Sequence, residues 1–324
     1  MMDKHISNFP EQLSDALKIT QNLILNYNNI QNIIITGMGG SGIGGTFAYE
    51  YTYNNIQIPV LINKSYHLPA FVNENTLVIV SSYSGNTEET LQCLNDAIQK
   101  KSIVVAITSG GKILEICKEK NFPVIILPKG FPPRTCLGYS FVAVLSILNK
   151  LNFISSDWKN EIEESISLLK KEQNDIRQQA KDIAQQIQKT FPVIYTLHSE
   201  ALAIRLRQQL NENSKMLCSH HIIPEMNHNE IVGWKCLSAK HTVIAIRTDF
   251  DLPQNIKRYT FCKKVFTELN VPVIEIIAKG NSLLTQWMYI VHLSDWISYE
   301  LAILNNVDPV EVNVIDKLKN ELQK

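Results

Sequence analysis

The sequence has no hydrophobic run approaching the ~18 apolar residues of a membrane span, so no transmembrane helix is expected. It has no CxxC pair. Its six cysteines (Cys93, Cys117, Cys136, Cys218, Cys236, Cys262) are scattered. That argues against a disulfide framework and predicts the reduced thiols of a cytoplasmic protein. It lacks a charge excess, with Lys plus Arg and Asp plus Glu at 31 each. A nucleic-acid or anionic-membrane surface calls for a basic surplus, so neither partner is expected. The opening residues, MMDKHISNFPEQ, lack the apolar core of a signal peptide. No low-complexity tract is present. Arginine is scarce, six against 25 lysines.

What is there is ordinary in bulk. The 324 residues suffice for two domains with a large core, and 45% hydrophobic with 19% charged residues suits a globular chain. Continuous apolar runs at 33–36, 60–62, 77–80, 103–107 and 124–127 predict strands buried on both faces, as in a parallel sheet between helices. Leu13, Leu17, Leu23 and Leu25 predict a helix over 8–28. Trp158, Ile162, Ile166, Leu169, Ile176, Ala180, Ile183 and Ile187 recur at helical spacing, which predicts a long amphipathic helix. Strands at 193–195, 242–246 and 271–276 then alternate with helices near 199–215, 252–268, 283–304 and 309–323. The expected class is α/β, with two parallel sheets flanked by helices. The expected domains are 1–154, a linker helix over 155–190, and 191–324.

Three segments follow strands of the first half. Residues 37–45 read GMGGSGIGG. A dinucleotide fingerprint fits Gly37-x-Gly39-x-x-Gly42, but the next strand ends in Asn63-Lys64 without the carboxylate that binds ribose. A loop for a small phosphorylated or polyhydroxyl ligand and a tight turn with no ligand are the other readings. Residues 81–90 read SSYSGNTEET. Ser82, Ser84 and Thr87 offer three hydroxyls where a helix should begin. One cap needs one hydroxyl, so three around a glycine favour a phosphate site over a plain N-cap. Residues 132–139 read PPRTCLGY. Arg134 there is either a surface arginine or a cation for an oxyanion.

In the second half, Glu212 lies between Asn211 and Asn213, and His228 lies between Asn227 and Asn229. Neither sits in an apolar stripe. A carboxylate and an imidazole are the usual proton carriers near neutral pH. His220, His221, Glu225 and His228 could be drawn as a metal site, but adjacent histidines diverge on a strand and there is no HExxH, so no metal is expected.

Together GMGGSGIGG, SSYSGNTEET, PPRTCLGYS, NENSK, PEMNHNEIVGW and DWISYELAILNNVDP resemble the bifunctional phosphoglucose/phosphomannose isomerases, built of two sugar-isomerase (SIS) domains. The resemblance spans nearly the whole chain. It implies that Ser82, Ser84 and Thr87 bind the phosphate of a sugar 6-phosphate, and that Gly40 and Ser41 form the first ligand loop. It implies that Arg134 stabilises an enediolate, Glu212 is the carbon base and His228 opens the sugar ring. It also implies a homodimer in which His228 serves the partner's site, and a substrate contact for Lys319. Members often carry a threonine just after Asp-Pro. Residues 310–314 (VEVNV) have none, which leaves the glucose–mannose balance open.

The chemistry fits the same residues. Aldose–ketose isomerisation needs a base, a cation for the oxyanion and a group to open the ring, and Glu, Arg and His fill those roles without a metal or redox cofactor. A sugar-phosphate sensor would have no use for Glu212 with His228. A ketose-phosphate amidotransferase would need a glutaminase domain with an N-terminal cysteine, and a dehydrogenase would need the ribose-binding acid.

Overall fold

The computed structural model describes residues 1–237 and 239–322. The chain forms two compact units, Asn8–Ser167 and Met1–Ser7 with Leu168–Lys324. A short helix, α1 (Met2–Ser7), opens the second of these.

The first unit runs α2 (Phe9–Thr20), β1 (Asn32–Thr36), α3 (Gly39–Thr52), β2 (Val60–Asn63), β3 (Thr76–Ser81), α4 (Glu88–Gln99), β4 (Ile103–Thr108), α5 (Gly111–Lys120), β5 (Val124–Ile126) and α6 (Leu137–Lys150). Its strands pair in the order β2-β1-β3-β4-β5, all parallel. β3 is buried along its full length, as its continuous apolar run predicts for a strand covered on both faces. The strand order reverses between β1 and β3. In open α/β sheets the ligand crevice lies at that switch point, outside the C-terminal ends of the strands. The loops 37–39 and 82–87 leave those two ends.

α7 (Trp158–Ile187) is the long amphipathic helix, and the boundary between the units falls within it. The second unit continues with β6 (Phe191–Thr196), α8 (Glu200–Ser214), β7 (Ser219–Ile222), α9 (Glu230–Gly233), β8 (His241–Arg247), α10 (Pro253–Glu268), β9 (Val273–Ile277), α11 (Leu283–Leu304) and α12 (Asn313–Leu322). Its sheet has the order β7-β6-β8-β9, again all parallel. One face packs Val193, Tyr195, Val243 and Ala245 against Met226, Trp234, Cys262 and Phe266. Alternation along a strand sends Ile194 and Ile244 to the other face. Among the described residues no helix is long and apolar enough to cross a membrane.

The two parallel sheets flanked by helices agree with the expected class. Local expectations differ at three places. The helix expected over 8–28 ends at Thr20, because an asparagine-rich stretch follows and Asn29 turns left-handed at φ 61°. β7 was not expected as a sheet member. It is a half-exposed edge strand, so Ser219, His220 and His221 need not be apolar. α12 covers 313–322 of the helix expected over 309–323, and residue 323 lies outside the described residues.

Candidate active site

The glycine loop and the hydroxyl loop meet as neighbours in the first unit. Ser41 Oγ accepts the Tyr83 N–H at 2.9 Å, and Ser81 Oγ donates to the Ser41 carbonyl at 3.4 Å. Ser41 therefore fixes one loop on the other. A Cβ on Gly40 would lie 2.5 Å from the Pro133 carbonyl oxygen, so only glycine lets α3 start this close to the Pro133–Thr135 turn that carries Arg134. Arg134 is 4% exposed, which removes the reading of a plain surface arginine.

The hydroxyl loop is pre-shaped. Ser82, 1% exposed, shares a hydrogen bond with Thr87 Oγ1 at 2.8 Å and accepts the Gly85 N–H at 3.2 Å. Ser84 is exposed, and its Oγ accepts the Asn86 N–H at 3.2 Å. Thr87 is the N-cap of α4 with extended backbone, yet its hydroxyl makes no capping bond. The first N–H groups of a helix have no intrahelical acceptor and carry the positive end of its dipole, a standing site for an anion. Gly85 has φ +69°, and a Cβ there would sit 1.8 Å from the Gly110 carbonyl oxygen. The loop is thus locked onto the β4–α5 turn.

In the second unit Glu212 stands near the C-terminal end of α8, half-buried. α8 is bolted to α11. Arg205 donates to both carboxylate oxygens of Asp295 at 2.9 and 2.7 Å, and Gln209 donates to Asp295 at 2.9 Å. One turn on, Asn213 donates to Ser298 Oγ at 2.9 Å and Ser214 Oγ donates to the Ser298 carbonyl at 2.6 Å. The i, i+4 spacing of 205, 209 and 213 keeps these bonds on one face of α8. Glu212 opens into a pocket of about 270 Å³ shared with Asn211, Lys215, Met216, Leu217, Glu311, Val312, Val314 and Ile315.

His228 is exposed, at the end of the short turn Glu225–His228, and is absent from that pocket's lining. Its neighbour Asn227 donates to Cys262 Sγ at 2.8 Å on α10, and Met226 packs with Tyr195 and Trp234. Right-handed crossovers put α8, which leads leftward from β6 to β7, on one face of this sheet. The segment from β7 to β8, and α10 after it, lie on the other. The sheet stands between Glu212 and His228, so the fold of one chain does not bring them together. Lys319 is exposed on α12, 3.7 Å from Asp316, and also outside the pocket lining.

A family model described as the bacterial phospho-glucose isomerase C-terminal SIS domain matches residues 176–322. A bifunctional phosphoglucose/phosphomannose isomerase of Caldicellulosiruptor bescii is 37% identical over 337 residues, which cover 99% of this chain and 98% of that one. The chain belongs to the bifunctional phosphoglucose/phosphomannose isomerase family. A second member, from Aquifex aeolicus, is 38% identical over 298 residues, 91% of each chain. In fold, the chain is similar to the C-terminal domain of glucosamine-fructose-6-phosphate aminotransferase from Francisella tularensis, at a TM-score of 0.75 and 16% identity over 96% of this chain and 97% of that one.

Three residues of this family member escaped the sequence reading. Gln12 on α2 donates to the Thr135 carbonyl at 2.7 Å and accepts the Gly138 N–H at 2.8 Å, bracketing Arg134. Tyr83 donates to the Pro128 carbonyl at 2.8 Å and accepts the Phe131 N–H at 3.0 Å. Burial pushes its phenol up to about 12, so it stays a neutral donor. Lys215 tethers the segment facing Glu212. Gln12 and Tyr83 lie in segments whose pattern already reads as helix or loop. Lys215 closes NENSK, but its partners lie 93 and 96 residues away.

Proposed function

We propose that the chain interconverts fructose 6-phosphate with glucose 6-phosphate and/or mannose 6-phosphate through an enediolate. The observation that carries this reading is the hydroxyl loop at the sheet's switch point, with Ser84 exposed and α4 uncapped by Thr87, in a chain of this family. The phosphate is held by Ser82, Ser84, Thr87 and the first N–H groups of α4, with Gly40 and Ser41 shaping the adjoining loop. Arg134 supplies positive charge for the enediolate oxygen. Glu212 takes the carbon-bound proton and returns it to the neighbouring carbon, and His228 moves the proton that opens the ring. Lys319 contacts the sugar phosphate. In this assignment the N-terminal domain, 1–154, binds phosphate and the C-terminal domain, 191–324, supplies the proton carriers, with 155–190 as linker.

The separation of His228 from the Glu212 pocket by a sheet favours a homodimer in which each His228 serves the partner's site. The six free cysteines suit a reducing cytoplasm. Proton transfer by Glu212 and charge neutralisation by Arg134 together require no resident metal. A coupled assay with fructose, glucose and mannose 6-phosphates, run with and without EDTA, tests the reading. Turnover of at least one aldose unaffected by chelation is expected. Binding without turnover would make the chain a sugar-phosphate sensor, and activity lost to EDTA and regained with zinc would replace this mechanism.

A further inference from the structure

The Lys215 ammonium has three N–H bonds and three main-chain acceptors, the carbonyls of Glu212 at 2.9 Å, Asp308 at 2.6 Å and Glu311 at 2.7 Å. The first belongs to the last turn of α8. The other two belong to the segment between α11 and α12. That segment is itself folded by local bonds, Val310 N–H to Asp308 Oδ1 at 2.8 Å and Asn313 N–H to Glu311 Oε1 at 2.5 Å. Glu212 forms one side of the 270 Å³ pocket, and Glu311, Val312, Val314 and Ile315 form the other. Lys215 therefore ties the last turn of α8, which carries Glu212, to the segment that lines the pocket with it.

We infer that Lys215 is a positioning residue for the Glu212 base, acting by holding residues 308–315 against the end of α8. The inference rests on the proposed role of Glu212. Three donors at tetrahedral angles suit an ammonium, and the planar guanidinium of arginine can meet only part of that set. A bound 308–315 segment narrows the access of water to the half-buried carboxylate while it carries the substrate's proton. Once released, the segment admits water, and the carboxylate loses its set distance to the carbon. Displacement of a catalytic group by about 1 Å can cost about 100-fold.

The test compares Lys215→Met, Lys215→Gly and Lys215→Arg with wild type on fructose 6-phosphate in deuterated water. Lys215 sits at φ 54°, which glycine adopts freely, so Lys215→Gly removes the side chain without backbone strain and guards against a folding defect. Expected are a fall in kcat of about 10- to 100-fold, a change in KM below about 3-fold, and partial recovery in Lys215→Arg. The ratio of solvent-deuterium incorporation to net isomerisation should rise in the Met and Gly variants. A structural role alone would lower the folded fraction and leave that ratio unchanged. Wild-type kcat, or a reduced kcat with a wild-type ratio in both variants, overturns the inference. Glu212→Gln in the same assay separates the two readings, because continued deuterium incorporation there removes Glu212 as base whatever the lysine variants do.

Discussion

Each side chain of the hydroxyl loop has its own task, and the tasks separate by burial. Ser82 is buried and already serves the Gly85 N–H and Thr87, so in the proposed site it shapes the loop as well as meeting the phosphate. Ser84, exposed, and Thr87, half-exposed, are the hydroxyls nearest solvent and the ones proposed to donate to the ligand. Charge-assisted hydrogen bonds contribute about 1.5–3 kcal/mol each, so Ser84→Ala or Thr87→Ala should weaken fructose 6-phosphate binding by about 10- to 100-fold, with an unchanged melting temperature. Titration calorimetry measures this, and wild-type affinity in the double variant would place the phosphate elsewhere. A single residue also sets part of the acid response. Burial pushes His292 down to about 3, and its Nε2 accepts the Trp296 N–H at 3.3 Å, which requires the neutral ring. The unfolded chain takes up a proton near the ordinary value of 6.5, which the folded chain refuses until about 3. Stability is therefore full above 6.5 and falls as the pH drops through that window, by about 1.4 kcal/mol per pH unit for this one group. His292→Gln should flatten the urea-melt pH profile by that slope between pH 6 and about 4. Of these residues, the cluster of hydroxyls beside a glycine at the end of an apolar strand was legible in the sequence. Neither the buried role of Ser82 nor the neutrality of His292 was legible, since burial comes from partners far along the chain.

Whole elements hold the proposed catalytic groups through a few cross-links. The Arg205–Asp295 pair is buried and bidentate, and with Gln209, Asn213 and Ser298 it sets α8 on α11. Removing one partner of such a pair strands a buried charge, at a cost of about 3–5 kcal/mol. Arg205→Met should lower the unfolding free energy by that amount, and Arg205→Met with Asp295→Leu should recover most of it. Denaturant melts of the two single variants and the double variant give the coupling, and additive losses would show that the pair is not the clamp. Strands were the most legible elements. β3 and β4 announce themselves as unbroken apolar runs because both faces are covered. β7 was missed for the converse reason, since an edge strand with half-exposed histidines has no such run. The α8–α11 clamp was out of reach for another reason. Its polar residues read as the solvent face of α8, and only the packing of an helix 90 residues away makes that face an interior one.

At the scale of the molecule, two parallel sheets are finished differently at their C-terminal edges. The first places glycines and hydroxyls at the ends of β1 and β3. In the second, the corresponding ends are filled from within. Asn255 donates to the Leu197 and Ile223 carbonyls at 2.9 and 3.2 Å, and Asp251 accepts from Arg247 at 2.6 Å and from Thr248 at 3.0 Å. The proton transfer proposed for the second unit lies instead at the far end of α8, where the fold rule for open sheets does not look. That displacement puts Glu212 and His228 on opposite faces of one sheet, a separation that no motif spacing announces. Two subunits resolve it if each lends its histidine to the other. Glu212→Gln removes the proposed base and should lower isomerisation by about 10²–10⁴. His228→Ala should impair cyclic substrates most and spare an analogue that cannot close its ring. Mixing the two variants should then restore about a quarter of wild-type activity, because random pairing makes half the dimers mixed and each mixed dimer carries one complete site. The complete site is on the His228→Ala chain, which keeps Glu212 and borrows the intact histidine. If both residues instead acted within one chain, every mixed dimer would hold one site lacking the base and one lacking the imidazole. Activity that stays at the level of the parents, after mass spectrometry has shown the subunits exchanged, would therefore return His228 to its own chain.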